Sequence, residues 1–378
     1  MKRQIQVTSS FSSYDVVIEE GLLSISETLK KYVSPLSSCF AIITDSDVGP
    51  LYARKLAEIL HTLGFFSKIF TFPAGEKHKT RETKEFLEDQ MLESGFGNDA
   101  CVIALGGGVV SDVAGFLSST YSRGIPWIII PTSLLSMVDA SIGGKCGVNT
   151  PFGKNLIGSV YHPKAVLMDL NVLHTLPLSE YKMGIVEMIK HGLIVEEEYF
   201  SFFEKNTKRL LQKEKETLGE AIYKSVCIKA LIVQKEEKEK GIRNLLNFGH
   251  TVGHALETVS QNQLPHGLAV AMGIIAESYM ATRCTSLSEE SLERIIRIFH
   301  EYELDIFGNH SYSLQEIVQA MKYDKKSKSQ VPHFVMIEKI GKSVAFEGKY
   351  CAPVDNEIVS SALQWMFARL EKTALLGR

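Results

Sequence analysis

Three histidines and one carboxylate in the second half of the chain are of the residue types that bind divalent metal ions. His250 and His254 are four residues apart and so share one helix face, and His266 follows a turn at Pro265 and begins the next apolar helix. Two histidines one turn apart, with a third histidine and a carboxylate such as Glu187 on other elements, match the ligand types of an open zinc site. Because the sequence has no tight H-E-x-x-H motif here, a second interpretation stays open, in which one histidine caps a helix and two pack in the core.

Charged and polar side chains accompany these candidate ligands. Glu187 comes three and four residues before Lys190 and His191, so the three side chains share a helix face. Such a carboxylate is more often one half of a surface ion pair. Asn247 joins the face of the histidines if the helix that carries His250 begins early.

A glycine-rich turn, Gly106–Asp112, directly follows the apolar run Cys101–Leu105. A continuous apolar run of this kind is typical of a strand buried on both faces of a parallel sheet. Glycines at the carboxyl end of such a strand let backbone N–H groups approach a phosphate, and the next helix adds the positive end of its dipole. The turn is therefore a candidate dinucleotide site, although its spacing is not G-x-G-x-x-G and a structural tight turn is equally compatible with it.

Two further polar segments lie near this turn in the sequence. The stretch Pro131–Asn149 combines small hydroxyl residues, a glycine pair and Lys145, and Gly153–Gly158 adds a second lysine and an asparagine. Ordering so many glycines is costly unless the segment wraps something polar, so we expect a phosphorylated ligand here rather than an irregular loop. The turn Phe72–Lys79 also places cations beside a carboxylate. Such residues are common in loops, so this turn alone does not indicate a binding site.

Short apolar runs alternate with amphipathic stretches up to about residue 170. The spacing predicts strands and helices in turn at Cys39–Thr44, Leu51–Leu60, Lys68–Phe72, Arg81–Glu93, Cys101–Leu105, Val109–Ser118 and Trp127–Ile130. This alternation indicates a parallel sheet with crossover helices. Farther on the pattern is helical, with charged helices at Glu204–Thr217 and Lys224–Lys240 and one strand near His333–Ile337. We predict an α/β protein with a parallel-sheet domain over residues 1–176 and a mainly α-helical domain over residues 177–378.

Composition excludes several classes of protein. The 378 residues include 41 Lys and Arg against 44 Asp and Glu, a net charge of −3, so there is no excess positive charge to hold a nucleic acid. No apolar run approaches the ~20 residues that cross a bilayer, and no apolar block follows the N-terminal charges as a secretory signal would require. The six cysteines are scattered singly, which argues against a thiolate zinc site or a disulfide framework. We expect a cytoplasmic protein that binds neither nucleic acid nor a membrane.

Five segments taken together resemble the 3-dehydroquinate synthase family of sugar-phosphate cyclases. They match in order and spacing, at Gly106–Asp112, Thr120–Gly124, Val138–Gly147, Gly153–Gly158 and Leu245–His254. The resemblance implies a Rossmann-like NAD-binding domain followed by an α-helical metal- and substrate-binding domain, with the active site in the cleft between them. It also implies a homodimer, because Arg123 resembles an arginine that family members insert into the neighbouring subunit's site.

The resemblance also assigns roles to individual residues. Glu187, His250 and His266 would bind one divalent ion, zinc or cobalt, with His254 beside it near the substrate phosphate. The substrate pocket would be lined by Asp139, Lys145, Asn155, Lys190, Lys229, Glu239, Arg243, Asn247, His254 and either Lys325 or Lys326. NAD would be bound by Asp45, Ala74, Gly75, Glu76, Lys77, His78, Lys79, Gly107, Gly108, Val109, Val110, Ser111, Asp112, Thr132, Ser133, Lys145, Lys154, Val172, Leu173, His174 and Thr175.

The implied enzyme is a carbon–oxygen lyase of the shikimate pathway, which leads to aromatic amino acids. It would convert 3-deoxy-D-arabino-heptulosonate 7-phosphate to 3-dehydroquinate and phosphate by transient oxidation with NAD, phosphate elimination, reduction and aldol ring closure. The nearest rival is a sister cyclase acting on sedoheptulose 7-phosphate or glucose 6-phosphate, but those substrates lack the carboxylate that Lys229 and Arg243 would bind. Two more distant functions stay open, a metal-dependent glycerol or alcohol dehydrogenase and a catalytically silent NAD-binding module.

Overall fold

The computed structural model describes residues 2–9, 12–24, 26–236, 241–306, 312–323 and 331–376. Three residues that the resemblance assigns to the substrate pocket, Glu239, Lys325 and Lys326, lie outside the described residues. Within the described ranges no helix is both long and apolar enough to cross a membrane. All six cysteines are free thiols.

The first of two units comprises Met1–Tyr181 and Gly219–Gln234. Its strands are β1 (Lys2–Thr8), β2 (Ser13–Glu19), β3 (Cys39–Asp45), β4 (Phe66–Phe72), β5 (Cys101–Gly106), β6 (Trp127–Pro131), β7 (Lys145–Thr150), β8 (Gly153–Val160) and β9 (Ala165–Asp169). Seven of them form one sheet in the order β1-β2-β9-β6-β5-β3-β4, in which only the β1–β2 pair is antiparallel. The four strands predicted for this part of the chain are confirmed as β3, β4, β5 and β6. The division of function at residue 176 stays a prediction.

Helices cover the sheet of this unit. They are α1 (Ser26–Val33), α2 (Arg54–Thr62), α3 (Arg81–Glu93) and α4 (Gly108–Thr120). The helix α3 begins where the Thr80 hydroxyl accepts a hydrogen bond of 3.2 Å from the backbone N–H of Thr83, which satisfies a free donor of the first turn. Every residue of β5 is buried, as the apolar run predicts for a strand covered on both faces.

The carboxyl ends of the parallel strands β3, β4, β5 and β6 lie along one edge of the sheet. Asp45 ends β3, Gly106 ends β5, and Thr132 follows β6. The segment of residues 73–79 follows β4 and joins it to α3. Open parallel sheets bind their ligands beyond this edge. The fold thus brings residues that the resemblance assigns to NAD to one edge of the sheet.

A β-hairpin formed by β7 and β8 occupies the second part of the glycine-rich region, from Lys145 onward, so the interpretation as an irregular loop is wrong there. The two strands pair antiparallel with Gly147 opposite Gly158. A Cβ atom added to Gly158 would stand 2.1 Å from the carbonyl oxygen of Cys146 and 2.7 Å from the Cα of Gly147. Only glycine allows the two backbones to approach this closely, which explains why residues of low strand propensity form strands here.

The second unit comprises Lys182–Leu218 and Lys235–Arg378. The helices from residue 178 onward are α5 (Leu178–Val195), α6 (Glu197–Leu211), α7 (Lys215–Lys235), α8 (His250–Val259), α9 (His266–Cys284), α10 (Glu289–Glu301), α11 (Leu314–Tyr323) and α12 (Asn356–Leu376). Short strands lie at β10 (His333–Phe334), β11 (Ile337–Lys339), β12 (Lys342–Ser343) and β13 (Ala352–Pro353). The prediction of a mainly helical second half is confirmed.

Two predicted helix boundaries differ from the structure. The predicted helix Glu204–Thr217 is wrong as a single element, because α6 ends at Leu211 and α7 begins at Lys215. Between them Lys213 has a φ of 54°, a left-handed conformation that cannot continue a right-handed helix. The helix predicted from Lys224 is confirmed as far as Lys235, and residues 237–240 lie outside the described ranges.

Helices α8 and α9 pack closely, and this contact fixes where α8 begins. A Cβ atom added to Gly273 of α9 would stand 1.9 Å from the carbonyl oxygen of Gly249, so the helices meet backbone to backbone there. Gly249, which precedes α8, has a φ of 80°. Its N–H donates a hydrogen bond of 2.8 Å to the buried Glu277 carboxylate of α9. A negative charge at this end of α8 is favourable because it faces the positive end of the helix dipole.

Candidate active site

Glu187, His250 and His266 lie close together in the second unit. Their possible ligand atoms are all within 4.8 Å of one another. The Oε1 atom of Glu187 is 3.6 Å from Nε2 of His250 and 3.9 Å from Nε2 of His266. Atoms bound to one zinc ion at tetrahedral positions lie ~3.3 Å apart, so the three side chains have almost the spacing that a shared ion requires.

The Nδ1 atoms of His250 and His266 each have a polar partner. Nδ1 of His250 lies 3.1 Å from the carbonyl oxygen of Phe248. Nδ1 of His266 lies 3.2 Å from Oε2 of Glu257, a buried carboxylate on α8. Partners of this kind hold the Nδ1 proton and leave Nε2 as the ligand atom, and they also fix the plane of the ring. Both imidazoles therefore turn Nε2 towards Glu187.

The two carboxylate oxygens of Glu187 lie in different environments. Its Oε2 atom accepts a hydrogen bond from Lys190 Nζ, and that ammonium also donates to the carbonyl oxygen of Leu246 at 2.8 Å. Its Oε1 atom is buried and accepts no hydrogen bond from any described residue. A buried carboxylate oxygen without a hydrogen bond is costly, and a cation between it and the two imidazoles would remove that cost. The donor set and this oxygen fit a divalent metal ion.

Helix starts position both imidazoles, because His250 is the first residue of α8 and His266 is the first residue of α9. His254 lies one turn farther along α8, with its ring centre 5.4 Å from that of His250 and 6.1 Å from that of His266. Asn247 does not join the face of α8, because it belongs to a short helical segment, Ile242–Asn247, that ends before Gly249. The condition under which Asn247 would share the face of the histidines, an early helix start, is therefore not met.

The glycine turn of the first unit has the strand-turn-helix context of a phosphate site. Gly107 precedes α4, and no side chain of the described residues caps this helix start. The backbone N–H groups of Val109 and Val110 in the first turn therefore have no side-chain acceptor. That of Ser111 already donates to the carbonyl oxygen of Gly107 at 3.0 Å. Such a turn offers several donors and the positive end of a helix dipole to an anion.

A buried ion pair lies beside this turn. Lys79 is 4% exposed, and its Nζ atom donates a hydrogen bond to Oδ2 of Asp112 on α4. Burial favours the neutral amine, but the carboxylates of Asp112 and Glu76 outweigh that effect and raise the pKa of Lys79 above its usual value. Lys79 therefore stays charged at neutral pH, and its contact with Asp112 joins the segment that follows β4 to the start of α4.

Other residues assigned to NAD lie in turns after the strands. Oδ1 of Asp45 accepts the N–H groups of Asp47 (3.0 Å) and Val48 (2.8 Å), so this carboxylate holds the turn after β3. The N–H of Ala74 donates to the Ser46 hydroxyl at 3.0 Å. A short helical turn, Glu76–His78, follows Gly75 and includes Lys77.

Residues after β6 and β9 complete the assigned set. The N–H of Thr132 donates to the carbonyl oxygen of Gly106 at 2.9 Å, which joins the ends of β5 and β6. The Ser133 hydroxyl accepts the N–H of Ser136 at 3.1 Å. Val172, Leu173 and His174 belong to a helical turn after β9, and the hydroxyl of Thr175 lies 2.5 Å from that of Tyr52.

Asp139 and Lys229 form a second ion pair in the first unit, in which Lys229 is the buried partner. Lys229 is 5% exposed, and its Nζ atom donates hydrogen bonds to Oδ1 of Asp139 and, at 2.5 Å, to the backbone carbonyl oxygen of the same residue. The two residues are 90 positions apart in sequence. The pairing brings one residue of the glycine-rich stretch and one from α7 to the same point.

The remaining assigned residues lie on several different elements. Lys145 begins β7, and Lys154 and Asn155 lie in β8. Arg243 is 2% exposed, and its backbone N–H donates to Oε2 of Glu236 at 3.0 Å. Arg123 is exposed and has a φ of 69° in the turn after α4.

Sequence reasoning missed two polar residues that contact the assigned ones. Glu257 touches His266, and Asn149 contacts both Glu76 and Asn155. Glu257 comes three residues after His254, a spacing that marks a shared helix face, but nothing in the sequence pairs it with a histidine nine positions later. Asn149 stands in the glycine-rich stretch that indicates a polar ligand, without a signal of its own.

Comparison with known proteins agrees with this arrangement. The family model of the 3-dehydroquinate synthase N-terminal region matches residues 69–183, and that of the C-terminal region matches residues 184–327. The 3-dehydroquinate synthase of Vibrio atlanticus (strain LGP32) is 39% identical over 96% of this chain and 98% of its own. That of Desulforamulus reducens is 40% identical over 91% of this chain and 96% of its own.

A solved structure extends the likeness to the fold. The 2-epi-5-epi-valiolone synthase of Streptomyces hygroscopicus subsp. jinggangensis 5008, with NAD+ and Zn2+ bound, has a TM-score of 0.86 and 27% identity, over 95% of this chain and 98% of its own. The matched regions of the family models contain the triad of Glu187, His250 and His266 and the glycine turn. The sequence matches and the shared fold thus lead to one conclusion: the chain belongs to the 3-dehydroquinate synthase family.

Proposed function

We propose that the chain is a carbon–oxygen lyase that converts 3-deoxy-D-arabino-heptulosonate 7-phosphate to 3-dehydroquinate and phosphate. The observation that carries the proposal is the triad of Glu187, His250 and His266, with a buried carboxylate oxygen facing two imidazole nitrogens. The membership of the family supports the identity of the reaction. The product belongs to the shikimate pathway of aromatic amino acid synthesis.

Two groups that the chain would bind supply part of the chemistry. Bound NAD supplies transient oxidation of a substrate alcohol, and a bound zinc or cobalt ion polarises the substrate oxygens and lowers the pKa of that hydroxyl. The relative 2-epi-5-epi-valiolone synthase has NAD+ and Zn2+ bound. In this chain Glu187, His250 and His266 hold the metal, and His254 lies beside it near the substrate phosphate.

Residues of the first unit hold the cofactor. The uncapped start of α4 at Gly107 and Gly108 supplies backbone N–H groups to the pyrophosphate. Lys79, held by Asp112, adds a positive charge at the same turn. Asp45 accepts hydrogen bonds from a ribose of the cofactor. These groups orient the dinucleotide beyond the carboxyl edge of the sheet.

Cationic residues select an acidic, phosphorylated substrate. Lys229 and Arg243 bind the substrate carboxylate, and Asp139 holds the Lys229 ammonium in one position. The phosphate is bound, as the family resemblance implies, by Lys145, Asn155, Asn247 and His254. Fixing both ends of the substrate places the leaving phosphate where it can accept the proton that is lost in the elimination.

We also infer three wider properties of the protein. It is a homodimer in which Arg123, exposed after α4, reaches the active site of the partner subunit. It works in the cytoplasm, where a reducing environment keeps its six thiols free. Neither a nucleic acid nor a membrane is a partner.

The proposal is tested by following phosphate release from 3-deoxy-D-arabino-heptulosonate 7-phosphate while absorbance at the NADH band is recorded. We expect release that requires both NAD and Zn2+, with no net accumulation of NADH because the cofactor is restored in each cycle. Omission of NAD and addition of a chelator are the controls. Steady NADH accumulation without phosphate release would instead indicate a metal-dependent dehydrogenase.

The contact between Glu257 and His266 gives a prediction about metal affinity. Glu257→Gln keeps the size of the side chain but removes the negative charge that fixes Nδ1 of His266, so zinc affinity should fall by about 10- to 100-fold. Competition with a chromophoric chelator measures this affinity. The control is Asp169→Asn, which alters a buried carboxylate that accepts hydrogen bonds from the backbone N–H groups of Gly21, Leu23 and Asn171 in the first unit. Equal zinc affinity in the Glu257 variant and the wild type would contradict the prediction.

A further inference from the structure

We propose that Asn149 is a positioning residue that couples NAD binding to phosphate binding. Asn149 lies in β7, and its side chain joins the cofactor turn, which we define as Gly75–Lys79, to the start of β8, which carries Asn155. The inference rests on the proposed function, because it takes NAD as the ligand of the turn and phosphate as the ligand of the hairpin. Neither the sequence pattern nor the family resemblance assigns a role to Asn149.

One side of Asn149 faces the cofactor turn. Its Nδ2 atom donates a hydrogen bond of 2.7 Å to Oε1 of Glu76. Its backbone N–H donates another, of 2.8 Å, to the carbonyl oxygen of Lys79. A hydrogen bond to a charged acceptor is stronger than one between neutral groups, so the amide restricts the Glu76 carboxylate to one orientation.

The other side of Asn149 faces the start of β8. Its Oδ1 atom accepts the backbone N–H of Asn155 at 2.9 Å. Asn155 has a φ of 53°, a left-handed conformation that an L-residue adopts at a cost unless its surroundings fix it. The bond from Asn149 therefore stabilises the backbone that presents the Asn155 side chain.

The chemistry of the amide suits this double contact. An asparagine side chain has a donor and an acceptor at one end, and here the donor meets a carboxylate while the acceptor meets an N–H group. An aspartate of the same size could still accept from Asn155 but would repel Glu76. Asn149 is half-buried, so water competes for these bonds less than at the open surface.

A shared residue makes the two ligands interdependent. NAD that fixes Glu76 also fixes Asn149, and Asn149 then fixes the backbone of Asn155 before phosphate arrives. The cost of ordering the hairpin is thus reduced for the second ligand, which gives positive coupling. Coupling of this kind is reciprocal, so phosphate must tighten NAD binding by the same factor.

The test is isothermal titration of the zinc-loaded full chain with NAD and, separately, with inorganic phosphate. We expect phosphate to bind the wild type about fivefold or more tightly when NAD is saturating. In Asn149→Ala this ratio should fall to near one, and NAD affinity should fall on the order of tenfold. Asn149→Asp should lose at least as much NAD affinity, and it gives a second variant of native side-chain size.

A double-mutant cycle tests whether Asn149 affects NAD binding through Glu76. If Asn149 acts on NAD through Glu76, then Asn149→Ala added to Glu76→Ala should cause no further loss of NAD affinity but should still weaken phosphate binding. Asn206→Ala is the matched control, since the Asn206 amide bonds a carbonyl oxygen of its own helix, and it should leave both affinities unchanged.

The outcomes separate this inference from the proposed function. A wild type that binds both ligands with the same coupling ratio as Asn149→Ala would overturn the positioning role while leaving the function intact. Additive losses of NAD affinity in the double variant would overturn the route through Glu76. A wild-type protein that binds neither NAD nor phosphate would contradict the proposed function and the inference together.

Discussion

Replacing Glu187 with glutamine should abolish both zinc binding and turnover while the protein stays folded. The change removes the negative charge from the Oε1 atom that faces Nε2 of His250 and of His266, and a neutral amide is a poor zinc ligand. Loss of the metal removes several kcal/mol of transition-state stabilisation, so kcat should fall on the order of a thousandfold or more. Metal analysis of the purified variant, together with phosphate release, measures the two effects.

The same substitution has a structural consequence that can be separated from the catalytic one. Lys190 is fully buried and loses the carboxylate that its ammonium contacts, although its bond to the carbonyl oxygen of Leu246 remains. We expect a lower melting temperature but a cooperative transition and an unchanged circular dichroism spectrum. Glu198→Gln, on the exposed side of α6, is the control for removal of one carboxylate. Full turnover with normal zinc content in the Glu187 variant would remove this residue from the site.

Replacing Lys79 with methionine should weaken both folding and NAD binding. The change leaves Asp112 without its cation, and breaking a buried pair typically costs about 3 kcal/mol in the free energy of unfolding. Because the partner carboxylates hold the pKa of Lys79 above its usual value, this contribution is present at neutral pH and is lost only when the pH rises past the ordinary pKa of lysine. NAD affinity should fall by about tenfold or more, since a positive charge is lost beside the glycine turn.

A double variant distinguishes the two effects of Lys79. Lys79→Met combined with Asp112→Asn removes the unpaired charge, so stability in urea should recover in part. NAD affinity should not recover, because the cation at the turn is still absent. Fluorescence titration with NAD measures this affinity. If the single variant binds NAD as the wild type does, Lys79 has only a structural role.

Local patterns predicted much of the fold. The apolar run Cys101–Leu105 followed by glycines led to a correct strand-turn-helix prediction, because each step depends on neighbouring residues alone. The start of α9 at His266 was likewise correct, since Pro265 marks the turn. The β7–β8 hairpin was not predicted, because its glycines meet across strands and the sequence does not state which residues will be opposite.

In the candidate site, too, contacts between residues close in sequence could be predicted, whereas contacts between distant residues could not. The contact of Glu187 with Lys190 follows from helix spacing, but the interpretation as a surface ion pair is wrong, because both side chains are buried. Contacts between distant residues have no such signal. The pairing of Asp139 with Lys229 across 90 positions and the contact of Asn149 with Glu76 across 73 positions depend on how the whole unit folds.

The acidic sugar phosphate is the substrate in the proposed function, and comparing substrates tests this most directly. Zinc-loaded protein with NAD is given 3-deoxy-D-arabino-heptulosonate 7-phosphate or sedoheptulose 7-phosphate, and kcat/KM for phosphate release is measured for each. We predict release from the first substrate and little from the second, because only the first has a carboxylate for Lys229 and Arg243. Release from sedoheptulose 7-phosphate alone would contradict the proposed function and assign the chain to a sister cyclase activity.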